Sequence, residues 1–255
     1  MQNKKNIYFL SDLHLGLGGH DKSIVREKKL IKFLDEIKNK TQALYLVGDI
    51  FDFWHEYKRV VPRGFTRFLG KIAEFTDNGI PVYFFTGNHD IWAYNYLPQE
   101  IGVKLFRKPQ IIKINDKTFY IAHGDGLGPY DKKYKFLKSI FTNKFLQWMF
   151  ARLHPNFALS FGLKWSHHNR ESYTPDKIKF KGEDKEWLIL YAKNYIQKNK
   201  NIDYFVFGHR HIPLKISLNK KTTFINLGDW INNFTYGVFD GKDFKVIKYE
   251  TNSDI

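Results

Sequence analysis

Apolar runs of strand length recur along the first part of the chain, separated by stretches with apolar residues at helical spacing. The runs are Ile7–Leu10, Ala43–Val47 and Pro81–Phe85. Continuous runs of this kind are typical of strands that are buried on both faces of a sheet. The intervening stretches, 24–37 and 65–77, carry apolar residues at helical spacing, and Asn78-Gly79 is a typical helix end. This alternation predicts βαβ units and a largely parallel sheet.

The second half of the chain follows a different pattern. Further strand-like runs occupy 103–105, 110–114, 118–121, 204–207, 214–218, 223–226, 235–239 and 244–249. Residues 132–199 contain no comparable run and instead carry helical patterns at 134–153, 156–165 and 185–197. We therefore predict a single α/β sandwich domain over residues 1–255, in which residues 130–200 are inserted as a helical lid, or cap. The alternative interpretation is that these helices complete a packing layer of the sandwich.

Composition adds a bias towards anionic partners. The formal net charge is +15, and residues 130–200 contribute much of it, with 15 Lys and Arg against 6 Asp and Glu. A strongly basic surface favours nucleic acid, acidic lipid or a phosphorylated substrate, although solvated lysine faces explain the same count. The predicted lid is also rich in aromatic residues, which favours contact with something apolar.

The absence of cysteine and of long apolar segments narrows the possible metal ligands and the expected location of the protein. Without Cys, disulfide bonds and thiolate metal ligands are excluded, and His, Asp, Asn and Glu remain as donors. That donor set suits Mn, Fe, Zn or Mg. Residues 1–6 are polar, unlike a signal peptide, and no window approaches the roughly 18–20 apolar residues of a membrane span. These features predict a cytoplasmic protein, either soluble or peripheral to a membrane.

Five short polar blocks hold residues of the types that bind divalent metals. The blocks are Asp12-Leu13-His14, Gly48-Asp49-Ile50-Phe51-Asp52, Gly87-Asn88-His89-Asp90, His123-Gly124-Asp125 and Gly208-His209-Arg210-His211. Each block comes just after a predicted strand. Because ligands gather at the carboxyl ends of the strands in open α/β sheets, five loops can converge on one place. A single block has an ordinary explanation as a strand end or helix cap, whereas the ordered set predicts a two-metal phosphoesterase centre.

The donors divide into two sets around a shared carboxylate. Two divalent ions about 3.5–4 Å apart need a common anionic ligand, and Asp49, which opens the central block, is the predicted bridge. The other predicted ligands of one ion are Asp12, His14 and His211. Those of the second ion are Asn88, His123 and His209. A water molecule between the two ions becomes hydroxide near neutral pH and can attack phosphorus in line.

His89 and Asp52 are the predicted catalytic residues beside the metals. We expect His89 to face the substrate, where it protonates the leaving group or stabilises charge on the transferring phosphoryl group. Asp52 is expected either to hold His89 or to orient a metal ligand, although a loop carboxylate that caps a helix is an alternative. Gly48, Gly87 and Gly208 are expected to let the backbone turn sharply and bring metal and phosphate close.

These blocks resemble the motif pattern of the calcineurin-like metallophosphoesterase superfamily. That pattern, D-x-H, G-D-x-x-D, G-N-H-D/E, H and G-H-x-H, is matched over residues 12–211. The resemblance implies a four-layer α/β/β/α metallophosphoesterase sandwich with a dinuclear site that often contains manganese. The expected cofactors are therefore two divalent metal ions, and Mn²⁺ is the expected identity.

A closer resemblance is to the UDP-2,3-diacylglucosamine hydrolase family of lipid A biosynthesis. It rests on the segment 123–127 followed by Asp131 and Tyr134, on a basic helical insert, and on the segment 208–213. The resemblance implies cleavage of the pyrophosphate to UMP and 2,3-diacylglucosamine 1-phosphate, by attack of the metal-bridging hydroxide on the α-phosphorus. It also implies that the insert covers the acyl chains. The main branch of the family carries Arg where this chain has His89, and a second branch carries the G-N-H-D form seen here.

The same resemblance implies residues that touch the substrate. Asp131 matches an Asp that contacts the sugar phosphate. The candidates on the insert are Asn169, Arg170 and Ser172. The candidates beside the metals are Asn88, His89 and His209. The resemblance also implies a location on the cytoplasmic face of a Gram-negative inner membrane. A basic insert rich in aromatic residues would rest on such an anionic lipid surface.

Two other functions fit parts of the pattern. One is a phosphodiesterase or pyrophosphatase that acts on other nucleotide or phospholipid substrates, which a lid without a continuous apolar cavity would favour. The other is a non-catalytic nucleic-acid-binding protein on the same fold, whose affinity would fall steeply with salt. The complete set of seven metal ligands together with His89 favours the enzyme, and we therefore expect no nucleic-acid partner.

Overall fold

The computed structural model describes residues 5–128, 132–171, 179–199 and 201–250, apart from the side chains of 132, 133 and 167–171. Within these ranges the strands form two sheets. The strands of the first sheet are β1 (Asn6–Leu10), β2 (Thr41–Val47), β3 (Val82–Phe85), β4 (Lys104–Phe106), β10 (Thr235–Phe239) and β11 (Phe244–Lys248). The strands of the second sheet are β5 (Gln110–Ile114), β6 (Lys117–Ile121), β7 (Tyr204–Phe207), β8 (Pro213–Ser217) and β9 (Thr223–Leu227).

Both sheets have a parallel centre and antiparallel additions. In the first sheet, of order β11-β10-β1-β2-β3-β4, strands β1 to β4 run parallel, and β10 and β11 are added antiparallel at one edge. In the second, of order β5-β6-β7-β9-β8, strands β6, β7 and β9 run parallel between two antiparallel edge strands. The predicted βαβ beginning is therefore confirmed, and the parallel strands bring their carboxyl ends to one side of each sheet.

Most of the predicted helices begin and end close to the predicted residues, but the middle of the insert differs from the prediction. They are α1 (Gly19–Lys38), α2 (Thr66–Asp77), α3 (Tyr96–Ile101), α4 (Lys132–Thr142), α5 (Lys144–Phe150), α6 (Pro155–Glu171) and α7 (Trp187–Lys198). The helical run predicted over 134–153 forms two helices, α4 and α5. The helix is interrupted at Asn143, whose side chain caps α5 by accepting hydrogen bonds from the backbone N–H groups of Phe145 and Leu146.

Alternation along single strands builds the four layers. In β1, Ile7 and Phe9 pack between the two sheets, whereas Tyr8 and Leu10 pack beneath α1 and α2. In β7, alternate residues likewise face the first sheet or α7. Because both faces of these strands are covered, the runs are apolar at every position. The predicted α/β/β/α sandwich is confirmed.

The helices between β6 and β7 are of two kinds. Leu188, Ile189 and Ala192 of α7 are buried against the second sheet, so this helix forms an outer layer of the sandwich. In contrast, α4, α5 and α6 contribute side chains to the wall of a large cavity. Among the residues that the structure describes, no helix combines the length and the apolar character needed to cross a bilayer.

Candidate metal centre

The seven predicted ligands lie on five loops that follow neighbouring parallel strands. Asp12 and His14 follow β1, Asp49 follows β2 and Asn88 follows β3. These three strands are adjacent in the first sheet, and β6 and β7, which precede the remaining ligands, are adjacent in the second. Strand order therefore brings the loops of each sheet together, and a hydrogen bond from the His209 N–H to Asp12 joins the two sets of loops.

The side chains meet there in groups that are compact enough to hold metal ions. Ligand atoms of Asp12, His14 and His211 lie within 4.8 Å of one another, and so do those of Asp49, His123 and His209. Oδ2 of Asp49 lies 3.7 Å from Nε2 of His14 and 3.1 Å from Nε2 of His123. Asp49 thus sits between the two groups, where a shared carboxylate would be placed.

The backbone at the cluster is strained. The φ angles are positive at Asp12 (53°), His14 (42°), Asp49 (53°), His209 (68°) and His211 (55°). Residues other than glycine rarely adopt this left-handed region, and such outliers concentrate at functional sites, where surrounding contacts or a ligand stabilise them. The strain at five ligand positions is therefore a signal of function that the sequence does not carry.

Glycine is required next to the cluster because of close approach. A Cβ atom on Gly87 would lie 2.2 Å from Oδ1 of Asp49, and one on Gly208 would lie 1.8 Å from Oγ of Ser11 and 2.5 Å from Oδ2 of Asp12. Real Cβ atoms do not tolerate such contacts. The expected role of these glycines is therefore better described as making room for the ligands than as allowing a turn, because neither has a positive φ angle.

Buried oxygen atoms remain available for cations. Oδ2 of Asp12 accepts hydrogen bonds from Ser11 Oγ (2.6 Å) and the His209 N–H (2.9 Å). Its Oδ1 atom and Oδ1 of Asn88 are buried and accept no hydrogen bond within the described part of the chain. A buried acceptor without a donor is costly unless a cation satisfies it. The donor set of carboxylate, amide and imidazole groups fits divalent Mn, Fe, Zn or Mg, so the residues present fit the metals that were expected.

Oxygen atoms that lie close to Nδ1 orient three of the histidine rings. Nδ1 of His123 lies 2.9 Å from the carbonyl oxygen of Val47. Nδ1 of His14 and of His211 lie 3.5 Å and 3.4 Å from the carboxylates of Asp52 and Asp229, respectively. An oxygen at Nδ1 favours the tautomer that leaves Nε2 as the metal-binding nitrogen. In each case Nε2 faces a carboxylate of the cluster.

The electrostatics of the centre favour a bound cation. Burial acts to raise the pKa of Asp12 and of Asp49, but the neighbouring imidazoles outweigh it and hold both pKa values well below the ordinary range. Burial lowers the pKa of His209 to about 4, assisted by nearby His123. The pKa of His123 is raised because Asp49 and Asp12 outweigh its burial. The carboxylates therefore stay ionised and His209 stays neutral at neutral pH, whereas the raised pKa of His123 means that a metal has to displace its proton.

Asp52 and His89 are connected, but not as a carboxylate–imidazole pair. Nδ1 of His89 lies 2.7 Å from the backbone carbonyl oxygen of Asp52 and 3.3 Å from Oγ of Ser166 on α6. The carboxylate of Asp52 faces His14 instead. Of the two expected roles for the Asp52 side chain, the geometry favours orientation of a metal ligand.

Sequence reasoning missed four supporting residues. Ser11 and Asp229 orient ligands, as described above. Asp90 accepts hydrogen bonds from the N–H groups of Gly87 (2.6 Å) and Ile50 (2.8 Å), and burial together with Asp49 raises its pKa to about 7. Asp125 is buried and contacts α4. The positions of Asp90 and Asp125 inside two of the blocks were a signal for them, whereas Ser11 and Asp229 had none.

A single cavity of about 990 Å³ opens from the cluster into the space beneath α4, α5 and α6. Its polar end is lined by His14, Asp49, Asn88, His89, His209 and His211. Its apolar part is lined by core residues and by helix residues, among them Phe53, Trp92, Leu137, Phe141, Phe150 and Trp165. Three of the expected substrate contacts, Asn88, His89 and His209, therefore face one cavity.

The remaining expected substrate contacts lie outside the side chains that the structure describes. Asp131 and Ser172 lie outside the described residues, and Asn169 and Arg170 lie on α6 among the residues whose side chains are not described. These four assignments stay predictions from the resemblance.

Comparison with known proteins agrees with the geometry. A family model described as calcineurin-like phosphoesterase matches residues 5–213. A "UDP-2,3-diacylglucosamine hydrolase" of Porphyromonas gingivalis is 36% identical over 251 residues, which cover 93% of this chain and 95% of that protein. A protein of the same name from Vibrio atlanticus is 29% identical over 251 residues, covering 94% and 95% of the two chains. The chain belongs to the calcineurin-like phosphoesterase family and is a metal-dependent hydrolase.

Proposed function

We propose that this protein hydrolyses the pyrophosphate bond of UDP-2,3-diacylglucosamine to give UMP and 2,3-diacylglucosamine 1-phosphate. The observation that carries the proposal is the continuous cavity that joins the metal-ligand cluster to an apolar chamber. The substrate needs both parts, because its pyrophosphate is anionic and its acyl chains are apolar. The shared name of the relatives in P. gingivalis and V. atlanticus supports the same substrate.

In this proposal the cluster holds two divalent ions, and Mn²⁺ is the proposed identity. Asp12, His14 and His211 hold one ion, Asn88, His123 and His209 hold the other, and Asp49 is shared. When bound, such ions withdraw charge from phosphoryl oxygens and lower the pKa of an attacking water towards neutrality. The compact grouping of these side chains and the buried acceptors of Asp12 and Asn88 support the assignment.

His89 supplies a proton or a hydrogen bond from the cavity side. A backbone carbonyl can only accept, so the 2.7 Å contact with Asp52 places a proton on Nδ1 of His89. Nε2 is then the nitrogen that faces the substrate in this proposal. In the imidazolium form it donates to a phosphoryl oxygen or to the leaving group. The contact with Ser166 extends the support of this ring into the helices that cover the cavity.

The helices α4, α5 and α6 form a lid in this proposal. Their aromatic and aliphatic side chains line the apolar chamber and exclude water from it. The predicted insertion over 130–200 then has two parts, because α7 belongs to the sandwich while α4 to α6 cover the substrate. A lid of this kind would favour substrates with long acyl chains over soluble nucleotide sugars.

The outer surface of the lid supports a peripheral position on an anionic membrane. Phe136, Phe145 and Phe157 expose 70%, 65% and 62% of their surface, and Trp148 exposes 55%. Exposed apolar patches mark sites of interaction with partners or lipid, and the net charge of +15 adds attraction to acidic headgroups. Flotation with vesicles of anionic and of zwitterionic lipid checks this part, and equal recovery with both would contradict it.

The activity is tested with purified protein, Mn²⁺ and UDP-2,3-diacylglucosamine in H₂¹⁸O. The expected products are UMP that carries the ¹⁸O label and unlabelled 2,3-diacylglucosamine 1-phosphate, because attack is proposed at the α-phosphorus. UDP-N-acetylglucosamine, which carries a single acetyl group in place of the long acyl chains, is the comparison substrate and should react far more slowly. If UMP is not released while bis(p-nitrophenyl) phosphate is hydrolysed, the lipid substrate is wrong and a broader phosphodiesterase remains.

A further inference from the structure

Asp125 is a buried carboxylate that binds the first helix of the lid. It lies two residues after His123, on the loop that follows β6, and only 7% of its surface is exposed. Its Oδ2 atom accepts a hydrogen bond of 2.7 Å from Oη of Tyr134 and one of 2.6 Å from Nζ of Lys138. Both donors belong to α4. A charge-assisted pair with a buried carboxylate is stronger and more directional than an exposed ion pair.

The second half of α4 is hydrogen-bonded to another loop of the candidate metal centre. Nε1 of Trp92 donates a 2.8 Å hydrogen bond to the carbonyl oxygen of Phe141, near the end of α4. Trp92 lies three residues after His89 and is 7% exposed. Each end of the helix is therefore connected to a loop that carries a residue of the candidate metal centre.

The fastening residues and the cavity wall share one face of α4. Tyr134, Leu137, Lys138 and Phe141 follow the i, i+3, i+4, i+7 spacing of a single helical face. Leu137 and Phe141 line the cavity, as does Tyr134. The loop that carries Asp125 packs closely against α4, because a Cβ atom on Gly126 would lie 3.3 Å from the Tyr134 ring. A rotation or shift of α4 would therefore move the apolar wall relative to the metal ligands.

We propose that Asp125 is a positioning residue, which seats α4 through Lys138 and Tyr134 and so fixes the apolar wall of the cavity above the metal centre. This proposal rests on the proposed function in one respect: the acyl chains of the substrate occupy the apolar chamber. Asp125 acts on the substrate through α4 and contacts no reacting atom.

Lys138→Met is the variant that tests the seat, because it removes the ammonium group and keeps most of the side-chain length. Backbone amides of 134–142 should exchange hydrogen for deuterium about tenfold faster, since local opening of the helix becomes easier. With the diacyl substrate, KM should rise about tenfold through misplacement of the wall. The kcat with bis(p-nitrophenyl) phosphate and the bound metal content should stay at wild-type values, because the metal ligands are untouched.

Lys138→Arg should restore slow exchange and low KM, because it restores a donor to Asp125. Lys144→Met, at an exposed position of α5, is the charge-matched control and should behave as wild type. Tyr134→Phe removes the second donor and should accelerate exchange in the same segment. Unchanged exchange over 134–142 in Lys138→Met would overturn the proposal, and so would a parallel fall of kcat with bis(p-nitrophenyl) phosphate. If the wild type fails to release UMP, the proposed function fails, and the exchange measurement still decides the role of Asp125.

Discussion

The Nδ1 atom of His89 lies 2.7 Å from the backbone carbonyl oxygen of Asp52, while the carboxylate of Asp52 lies 3.5 Å from His14. One residue thus supports two others through different groups. Its main chain orients the histidine that faces the cavity, and its side chain orients a candidate metal ligand. Because a substitution removes only the side chain, the two roles can be separated by mutation.

Asp52→Ala should weaken metal binding and leave His89 in place. Loss of a carboxylate that orients a ligand histidine typically costs about 10–100-fold in metal affinity. Titration of the metal-free protein with Mn²⁺ in a calorimeter measures this change.

His89→Ala should have the converse effect, a normal metal content with kcat lowered by about 10²–10⁴-fold. A His89→Ala protein that purifies without metal would contradict the assignment.

Asp49→Ala should remove the response of the protein to metal. With the shared carboxylate gone, neither group of ligands is complete, so neither ion should remain at normal affinity. In the wild type, metal at 100 times its Kd should stabilise the fold by about 2.7 kcal/mol. The measurement is Tm with Mn²⁺ and with EDTA. The difference should be several degrees in the wild type and close to zero in Asp49→Ala, and a full metal response in the variant would exclude Asp49 as the shared ligand.

Gly87→Ala should disrupt the centre, and Gly70→Ala is its matched control. The new methyl group at position 87 would lie 2.2 Å from Oδ1 and 2.6 Å from the backbone nitrogen of Asp49. Such overpacking typically costs about 1–3 kcal/mol, and metal content should fall with it. A methyl group on Gly70, within α2, would meet no atom within 4 Å, so that variant should gain about 0.5–1 kcal/mol from helix propensity. Urea unfolding and metal analysis of both proteins check the contrast.

His55 should make the protein less stable at acidic pH. The residue is 2% exposed, and its ring packs against Trp92 and against Phe150 of α5, with ring centroids 5.1 Å and 4.9 Å away. Burial lowers the pKa of His55 from 6.5 to about 4. Between these two values the unfolded chain binds a proton that the folded protein does not, so stability is lost as pH falls from 6.5 towards 4 and is unaffected by this group above 6.5.

The contribution of His55 can be isolated with His55→Gln, which does not titrate. Between pH 7.5 and pH 5 the wild type should lose about 2 kcal/mol more unfolding free energy than the variant. Urea unfolding at the two pH values gives this difference, in which the other titrating groups cancel. Equal losses in the two proteins would show that His55 is protonated in the folded state at pH 5.

The clustering of the candidate ligands was predictable because their signal is local. Each block directly follows an apolar strand, and parallel strands carry their carboxyl ends to a common edge, so Asp12, Asp49 and His123 could be placed together before any coordinates. The position of Asp49 between the two groups followed from the need for a shared anion. The four layers were expected from the resemblance and are explained by the alternation of Ile7 and Tyr8 between two buried faces.

The supporting contacts were not predictable because they join distant parts of the chain. Asp229 reaches His211 from the loop after β9, and nothing in its own neighbourhood indicates a role. The division of the helical run 134–153 at Asn143 depends on one capping side chain in an otherwise helical pattern. The assignment of α7 to the sandwich depends on Leu188 and Ile189 finding the second sheet, and helical periodicity does not identify the surface on which a helix packs.

Three of the loops that supply the ligands leave one sheet, and two leave the other. A centre built in this way cannot close while the sheets are apart, since neither sheet contributes a full set for both ions. The bound ions would then hold the two sheets of the sandwich together. Their capture becomes a late event in folding, and the moment of Mn²⁺ uptake in a refolding experiment would report when the sheets have docked.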